Sequence, residues 1–223
     1  MPKLSSKIVI STTLTAVTGL HIGGSKDVVE IGGLDRPVIK IATRQNQPYI
    51  PGSSLRGKMR CLLEQIDGKT EVGASDIVNQ LFGYSGKKVI SKLIVRDAYL
   101  TDVSAKQLIE SPLDMPYTEN KYENTIDRVK GTALHPRQSE RVPAGAEFAV
   151  EMVINIWDGD DENKLLTLLH DGIRLLENDY LGGDGSRGCG QVKFGKPKMV
   201  KLQVELGKLK MVELSADDYW NTK

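Results

Sequence analysis

Asp35 stands at the edge of a long positive stretch. Gly32 and Gly33 precede it, and from Arg36 to Arg60 the chain holds no acid but six cations: Arg36, Lys40, Arg44, Arg56, Lys58 and Arg60. A lone carboxylate in such a place can take a proton from a reacting group or hold a cation for it. An aspartate just before Arg36-Pro37 can equally be a turn former. Asp27 and Glu30 are the acids near enough in sequence to help it, and no dense acidic cluster surrounds it.

Two further stretches bear on phosphate chemistry. Gly52-Ser-Ser-Leu-Arg-Gly57-Lys58-Met59 falls one residue short of a P-loop, because Met59 stands where a hydroxyl must hold magnesium. Met59 also belongs to the apolar face of the helix expected there, so a nucleotide-hydrolysing enzyme is the weaker reading. Gly183-Asp-Gly185-Ser-Arg-Gly188 matches Gly-x-Gly-x-x-Gly, but a helix precedes it and a strand follows, the reverse of the dinucleotide fingerprint. Such a loop can still turn sharply or present backbone N–H groups to phosphate, with Arg187 adding a guanidinium. The plain alternative is a structural turn with a solvated arginine.

The elements that must position these residues follow from periodicity. Ile8, Ile10, Thr12, Leu14 and Ala16 alternate with Val9, Ser11, Thr13, Thr15 and Val17, a strand ending at Thr18-Gly19. A helix capped by Ser53 or Ser54 runs to Ile66, with Leu55, Met59, Leu62, Leu63 and Ile66 on one face and Gly68 beyond its end. Arg56, Lys58 and Arg60 in its first turns oppose the helix dipole unless an anion sits at that end; otherwise they are solvated surface cations. Residues 67–91 suit a small lid with a short helix over Ile77 to Phe82, and Leu93 to Leu100 suits a strand. Residues 111–143 lose periodicity, carry Pro112, Pro116, Pro136 and Pro143, and look like a projecting insertion with room for a hairpin. Phe148 to Trp157 alternate as a strand. Asp160 or Asp161 caps a helix with Leu165, Leu168, Leu169, Ile173, Leu176 and Tyr180 on one face. Strands around Val192 and Phe194, and over Val200 to Leu206, close the chain.

Without the insertions the order is strand, helix, strand, strand, helix, strand, the ferredoxin-like arrangement, with one sheet face free to bind. The chain has 223 residues, 39% of them hydrophobic, enough for one sizeable core. Net charge is only +1, so a nucleic-acid surface needs segregated charge. Arg187, Lys193, Lys196, Lys198 and Lys201 supply a second basic region beside Asp184 alone. Aromatic residues are 5% and form no stacking ladder, so RNA or DNA would be held through phosphate and sugar. Cys61 and Cys189 read as reduced structural residues, and a soluble, cytoplasmic chain without a membrane partner is expected.

The motifs taken together resemble one family. Thr18-Gly-Leu-His-Ile-Gly-Gly24, Ile31-Gly-Gly-Leu-Asp-Arg-Pro-Val38 and Ile50-Pro-Gly-Ser-Ser-Leu-Arg-Gly-Lys-Met-Arg60 come first. Tyr117-Thr-Glu-x-Lys-Tyr-Glu-Asn-Thr-Ile-Asp-Arg128, Pro136-Arg-Gln-x-Glu-Arg141 and Leu181-Gly-Gly-Asp-Gly-Ser-Arg-Gly-Cys-Gly-Gln-Val192 follow. This order is similar to the backbone subunits of type III-A CRISPR (Csm) effector complexes in the RAMP superfamily; the type III-B counterpart is the nearest alternative. Gly33 and Arg56 depart from the family wording, which has alanine or similar and lysine.

The resemblance implies an α+β, modified ferredoxin-like (RRM-like) fold in a single domain over 1–223. The core would be 4–66, 92–110 and 144–206, the lid 67–91 and a projecting thumb 111–143. It implies copies polymerising along a guide RNA beside other Csm subunits, and a complementary target RNA cut at regular intervals. By position, Asp35 is the catalytic residue, acting on a ribose 2′-hydroxyl or holding a weakly bound Mg2+ or other divalent ion. His21, Arg36, Arg56, Lys58, Arg60, Arg128, Arg137, Arg141 and Arg187 are the RNA-binding candidates. Gly183, Gly185 and Gly188 are the phosphate-loop candidates. His135 falls in the thumb, His170 reads as surface, and the acids Asp127 and Glu140 could simply pair with Arg128 and Arg141. A subunit that only holds guide RNA is the competing reading, and Asp35 separates the two.

Overall fold

The alternation beginning at Ile8 is realised as strand β1 (Leu4–Ala16), whose Ile8, Ile10, Leu14 and Ala16 are fully buried. A computed structural model of the chain describes residues 3–24, 36–205 and 208–216. In chain order there follow β2 (Lys40–Ile41), β3 (Gln47–Ile50), α1 (Gly52–Ile66), α2 (Asp76–Phe82), β4 (Leu93–Val95), β5 (Ala98–Leu100) and α3 (Asp102–Glu110). Then come β6 (Glu119–Ile126), β7 (Ala133–Arg141), β8 (Glu147–Trp157), α4 (Glu162–Glu177), β9 (Val192–Phe194), β10 (Lys198–Glu205) and β11 (Lys208–Leu214).

Among the described residues nine strands form one sheet in the order β11-β10-β1-β8-β5-β3-β2, with β4 also on β8 and β9 also on β1. Every pairing is antiparallel, and β1 runs beside β8 from Leu4↔Trp157 to Thr15↔Glu147. The fold is therefore α+β, with a large antiparallel sheet and four α-helices among the described residues. Helices α1 and α4 share the core: Leu55, Met59, Leu62 and Leu63 cluster with Leu165, Leu166, Leu169, Ile173 and Leu176. Gly172 lets them approach, since a Cβ there would lie 3.2 Å from Leu63 Cδ1 and 3.4 Å from Met59 Cβ.

Several expectations need correction. Helix α1 is capped by Pro51, with no side-chain cap from Ser53 or Ser54. Its first N–H, on Gly52, donates to Asp97 Oδ1 at 2.8 Å. A distant carboxylate thus supplies the anion expected at this helix end, in a turn that splits the strand at 93–100 into β4 and β5. Asp161 is the α4 cap, its side chain accepting from Lys164 N, and the helix ends before Tyr180. His170 is buried rather than on the surface; desolvation, more than its charged neighbours, pushes its pKa below the ordinary imidazole value. Leu206 lies outside the described residues.

The insertion at 111–143 does contain a hairpin, β6 paired with β7 as a separate two-stranded sheet. Its turn is fixed by Asp127, whose side chain accepts from Val129 N and Lys130 N, and by Gly131 at φ 67°. Asp127 is therefore a turn former rather than a partner for Arg128. The buried residues lie at the root, among them Tyr117, Thr118, Ser139, Glu140 and Val142, and Val142 bridges back to Leu20 after β1.

Candidate nucleic-acid interface

Asp35, with Gly32, Gly33, Asp27 and Glu30, lies outside the described residues. Both ends of its segment are described, and they are stitched together. Ile39 N donates to Ile22 O (2.8 Å), Gly24 N to Pro37 O (3.0 Å), and Gly23 bridges Val38. Gly24 permits the approach, because a Cβ there would stand 3.1 Å from Val38 O.

Glu140, at the hairpin root, holds this stitching in place. Its Oε2 accepts from Val38 N (2.9 Å), and its Oε1 from Thr118 Oγ1 (2.6 Å) and Lys40 Nζ (2.5 Å). Its own N–H donates to Arg36 O (3.1 Å). Its carbonyl accepts from His21 Nδ1 at 2.6 Å, so Nδ1 carries the proton. Glu140 is 1% exposed, a buried charge with every oxygen occupied. Arg141 does not pair with it; Arg141 Nε donates to Glu119 Oε1 (2.7 Å), directly across the hairpin.

The glycine loop comes against the same segment. Arg36 donates from one guanidinium nitrogen to both Asp184 oxygens, at 3.0 and 2.9 Å, and Arg187 pairs with the same carboxylate and with Glu123 (3.0 Å). Burial opposes ionisation of Asp184, but the hydrogen bonds and charge of Arg36, with Arg187 and His21 behind it, hold its carboxyl below the usual range. The Gly183 N–H donates to His21 O (2.8 Å) and the Gly188 N–H to Gly185 O (3.1 Å), so these amides are engaged inside the protein. Gly185 is needed for room: a Cβ there would fall 2.0 Å from the Tyr180 ring.

The structure thus brings His21, Arg36, Arg187 and the glycine loop together around Asp184, sets Lys58 against Tyr180 beside that loop, and places Arg56 and Arg60 elsewhere. Arg56 donates to Phe82 O and Ser91 Oγ (3.2 Å); desolvation first, then Arg60, lowers its pKa. Arg60 bonds Glu64 (2.9 Å) and Asn79 (3.0 Å). Lys58 pairs with Asp179 at 3.0 Å and lies 3.9 Å from the Tyr180 ring centre. The second basic region is also matched by acids, with Lys193 on Glu177, Lys198 on Glu213 and Lys201 on Glu162. Arg128 and Arg137 of the hairpin are exposed and carry no ion pair with a described residue. His135, also exposed, has a left-handed backbone at φ 53°. Glu140, Thr118 and Lys40 did not stand out in the sequence, because their partners lie far away along the chain.

Comparison with known proteins agrees with this architecture. The RAMP superfamily pattern matches residues 13–193. The chain is 44% identical over 202 residues to the CRISPR system Cms endoribonuclease Csm3 of Streptococcus thermophilus, covering 86% of this chain and 89% of that protein. It is 42% identical over 213 residues to the protein of the same name from Methanocaldococcus jannaschii, covering 88% and 82%. Among solved structures it is similar to the Csm3-Csm4 subcomplex of the type III-A CRISPR-Cas interference complex, at a TM-score of 0.62 and 29% identity over 98% of this chain and 95% of that one. The chain belongs to the RAMP superfamily and, within it, to the Csm3 family.

Proposed function

We propose that the chain is an endoribonuclease subunit of a type III-A CRISPR effector, cutting target RNA paired to a guide RNA, with Asp35 as its catalytic residue. The observation that carries this reading is the joint anchoring by Glu140, which ties the end of the Asp35 segment to the root of the β6–β7 hairpin. The thumb over 111–143 meets RNA, and the carboxylate then sits where the held strand passes. The chain's similarity to proteins named Csm3 endoribonucleases supports the chemistry, and its similarity to a Csm3-Csm4 subcomplex supports other Csm subunits as partners. Copies of the chain stack along the guide, so that cuts fall at regular intervals. The core is ferredoxin-like, with a lid at 67–91; the order of β9 and β10, then β1, β8, and β4 with β5 supports the core. The complex works in the cytoplasm, and no described helix is long and apolar enough to cross a membrane.

In the reaction, Asp35 takes the proton of a ribose 2′-hydroxyl. The oxygen bonds to the adjacent phosphorus, and the 5′ oxygen leaves and is protonated by water. Among the described residues no three acids, histidines or cysteines converge on a metal site. The carboxylates of Asp184 and Glu140, which hold Arg36 and Val38, are occupied by internal donors. A divalent ion would be weakly held, by Asp35 and RNA phosphate together. Arg128 and Arg137 are the RNA contacts least committed elsewhere, with His21, Arg36, Arg141 and Arg187 lining the seat behind them. Arg56, Lys58 and Arg60 contribute their field more than direct contact.

The test uses the assembled complex with a guide and labelled complementary RNA, comparing wild type with Asp35→Ala, each in magnesium and in EDTA. Evenly spaced cuts that vanish in the variant and in EDTA, with target binding intact, are the expected result. Unchanged cutting by Asp35→Ala would leave this chain as a scaffold and place the nuclease elsewhere.

A further inference from the structure

We infer that Tyr49, Tyr99 and Arg44 form a stacking site for an unpaired nucleobase of bound RNA, on the sheet face turned away from the helices. This rests on the reading of the chain as an RNA-holding subunit, whichever residue cleaves. Ile50, Ala98, Leu100 and Phe148 point into the core, so the alternate residues Tyr49, Tyr99 and Ala149 point to the opposite face. Register sets Tyr49 against Tyr99, Tyr99 against Ala149 and Ala149 against Thr13, one row across β3, β5, β8 and β1. The two ring centres are 5.9 Å apart and the planes are tilted by 35°. Ala149 and Thr13 are small and exposed, so the row beside the rings lies low and open. No stacking ladder was legible in the sequence because the two tyrosines sit on different strands, far apart along the chain.

Arg44 sets this apart from an ordinary cross-strand aromatic pair. Of the six cations from Arg36 to Arg60, Arg36, Lys40, Lys58 and Arg60 pair with acids, and Arg56 donates to Phe82 O. Arg44 is exposed and makes no ion pair with a described residue; its guanidinium carbon lies 4.3 Å from the centre of the Tyr99 ring. A planar cation on a ring extends the platform, since bases stack on guanidinium planes as they do on aromatic faces. The turn that carries Arg44 is strained. Gln45 (φ 53°) and Asn46 (φ 56°) are left-handed, and so is Tyr117 (φ 68°), whose hydroxyl donates to Gln45 Oε1 at 3.1 Å. Non-glycine residues in that region cost free energy and collect where a ligand is held. The same bond ties the platform to the chain entering β6, so the site adjoins the hairpin that meets RNA in the parent reading. The charge of Asp97 acts on Tyr49 and repels phosphate, which favours a neutral base there over a backbone oxygen.

The experiment titrates the full chain, as wild type, Arg44→Lys, Tyr99→Leu and Tyr99→Phe, with a single-stranded RNA and with an abasic RNA of equal length, over a range of salt. Arg44→Lys keeps the charge and loses the plane; Tyr99→Phe keeps the ring. Arg44→Lys and Tyr99→Leu should each weaken binding of the normal RNA ~10-fold, leave binding of the abasic RNA at the wild-type level and leave the salt slope unchanged, while Tyr99→Phe binds as wild type. In the assembled complex, 5-iodouridine placed along the guide or along the target should crosslink to Tyr49 or Tyr99, and the strand that does so is the source of the base. Wild-type binding by Arg44→Lys, an equal loss on abasic RNA, or no crosslink to either tyrosine from either strand would overturn the inference. If Tyr99→Leu does not fold, Arg44→Lys decides with the crosslink, because Arg44 is exposed. Failure of the wild-type chain and of its assembled complex to bind RNA would remove the parent reading, whereas normal binding by the variants removes this inference alone.

Discussion

Glu140 is a buried carboxylate whose oxygens are all in use. Glu140→Ala strands Lys40, Thr118 and Val38 N without their acceptor, and should cost about 3–5 kcal/mol in denaturant unfolding. Glu140→Gln, which keeps an acceptor, should cost less. Asp184 gives a pH signature. Its folded pKa lies below the unfolded value of about 3.9, so its contribution to stability is present above that pH and is lost as pH falls through the folded value. Unfolding midpoints between pH 3 and 6 should drop on the acid side for wild type and less for Asp184→Asn. In the sequence, Glu140 read as a neighbour for Arg141. Adjacent strand residues point to opposite faces, so Glu140 turns into the core while Arg141 meets Glu119 across the hairpin. Nothing local marks such a choice until the turn at Asp127 is placed.

At the scale of elements, the close contact of α1 with α4 dominates the helical layer. Leu169 is fully buried there, and Leu169→Ala should cost about 2–5 kcal/mol in the same unfolding measurement. Thr101 caps α3 through Ser104 N at 3.2 Å, so Thr101→Ala should cost about 1 kcal/mol. The β1 and β8 strands and the α1 and α4 helices were legible because each buries an apolar set at its own period. Helix α3 was not, because its buried residues are only Ser104 and Leu108. The β2 strand is two residues long, too short to show a period, and β11 sets exposed Leu209 and Met211 at the sheet edge. The hairpin hid its turn because most of its side chains face solvent and carry no apolar alternation.

Over the whole molecule, cations and acids nearly cancel, and most cations of the basic stretches are held by acids or carbonyls. Nucleic-acid affinity should therefore come from few contacts. Arg128→Ala and Arg137→Ala should each lower the salt slope of RNA binding by about 0.7, without altering sequence preference, in titrations from low to high salt. The hairpin that bears them is anchored at its root, where Glu140 and Val142 enter the core, and part-way along β6, where Lys121 and Glu123 bond Arg187. Mechanically it is a cantilever whose arm, β6, is eight residues long, or about 26 Å. A load at the free tip bends such a beam most where it is clamped. One clamp is Glu140, whose backbone is bonded to His21 and Arg36, and the other is Arg187, which holds Lys121 and Glu123. Torque at the tip is thus delivered to the glycine loop and to the footing of the Asp35 segment, ahead of the rest of the sheet.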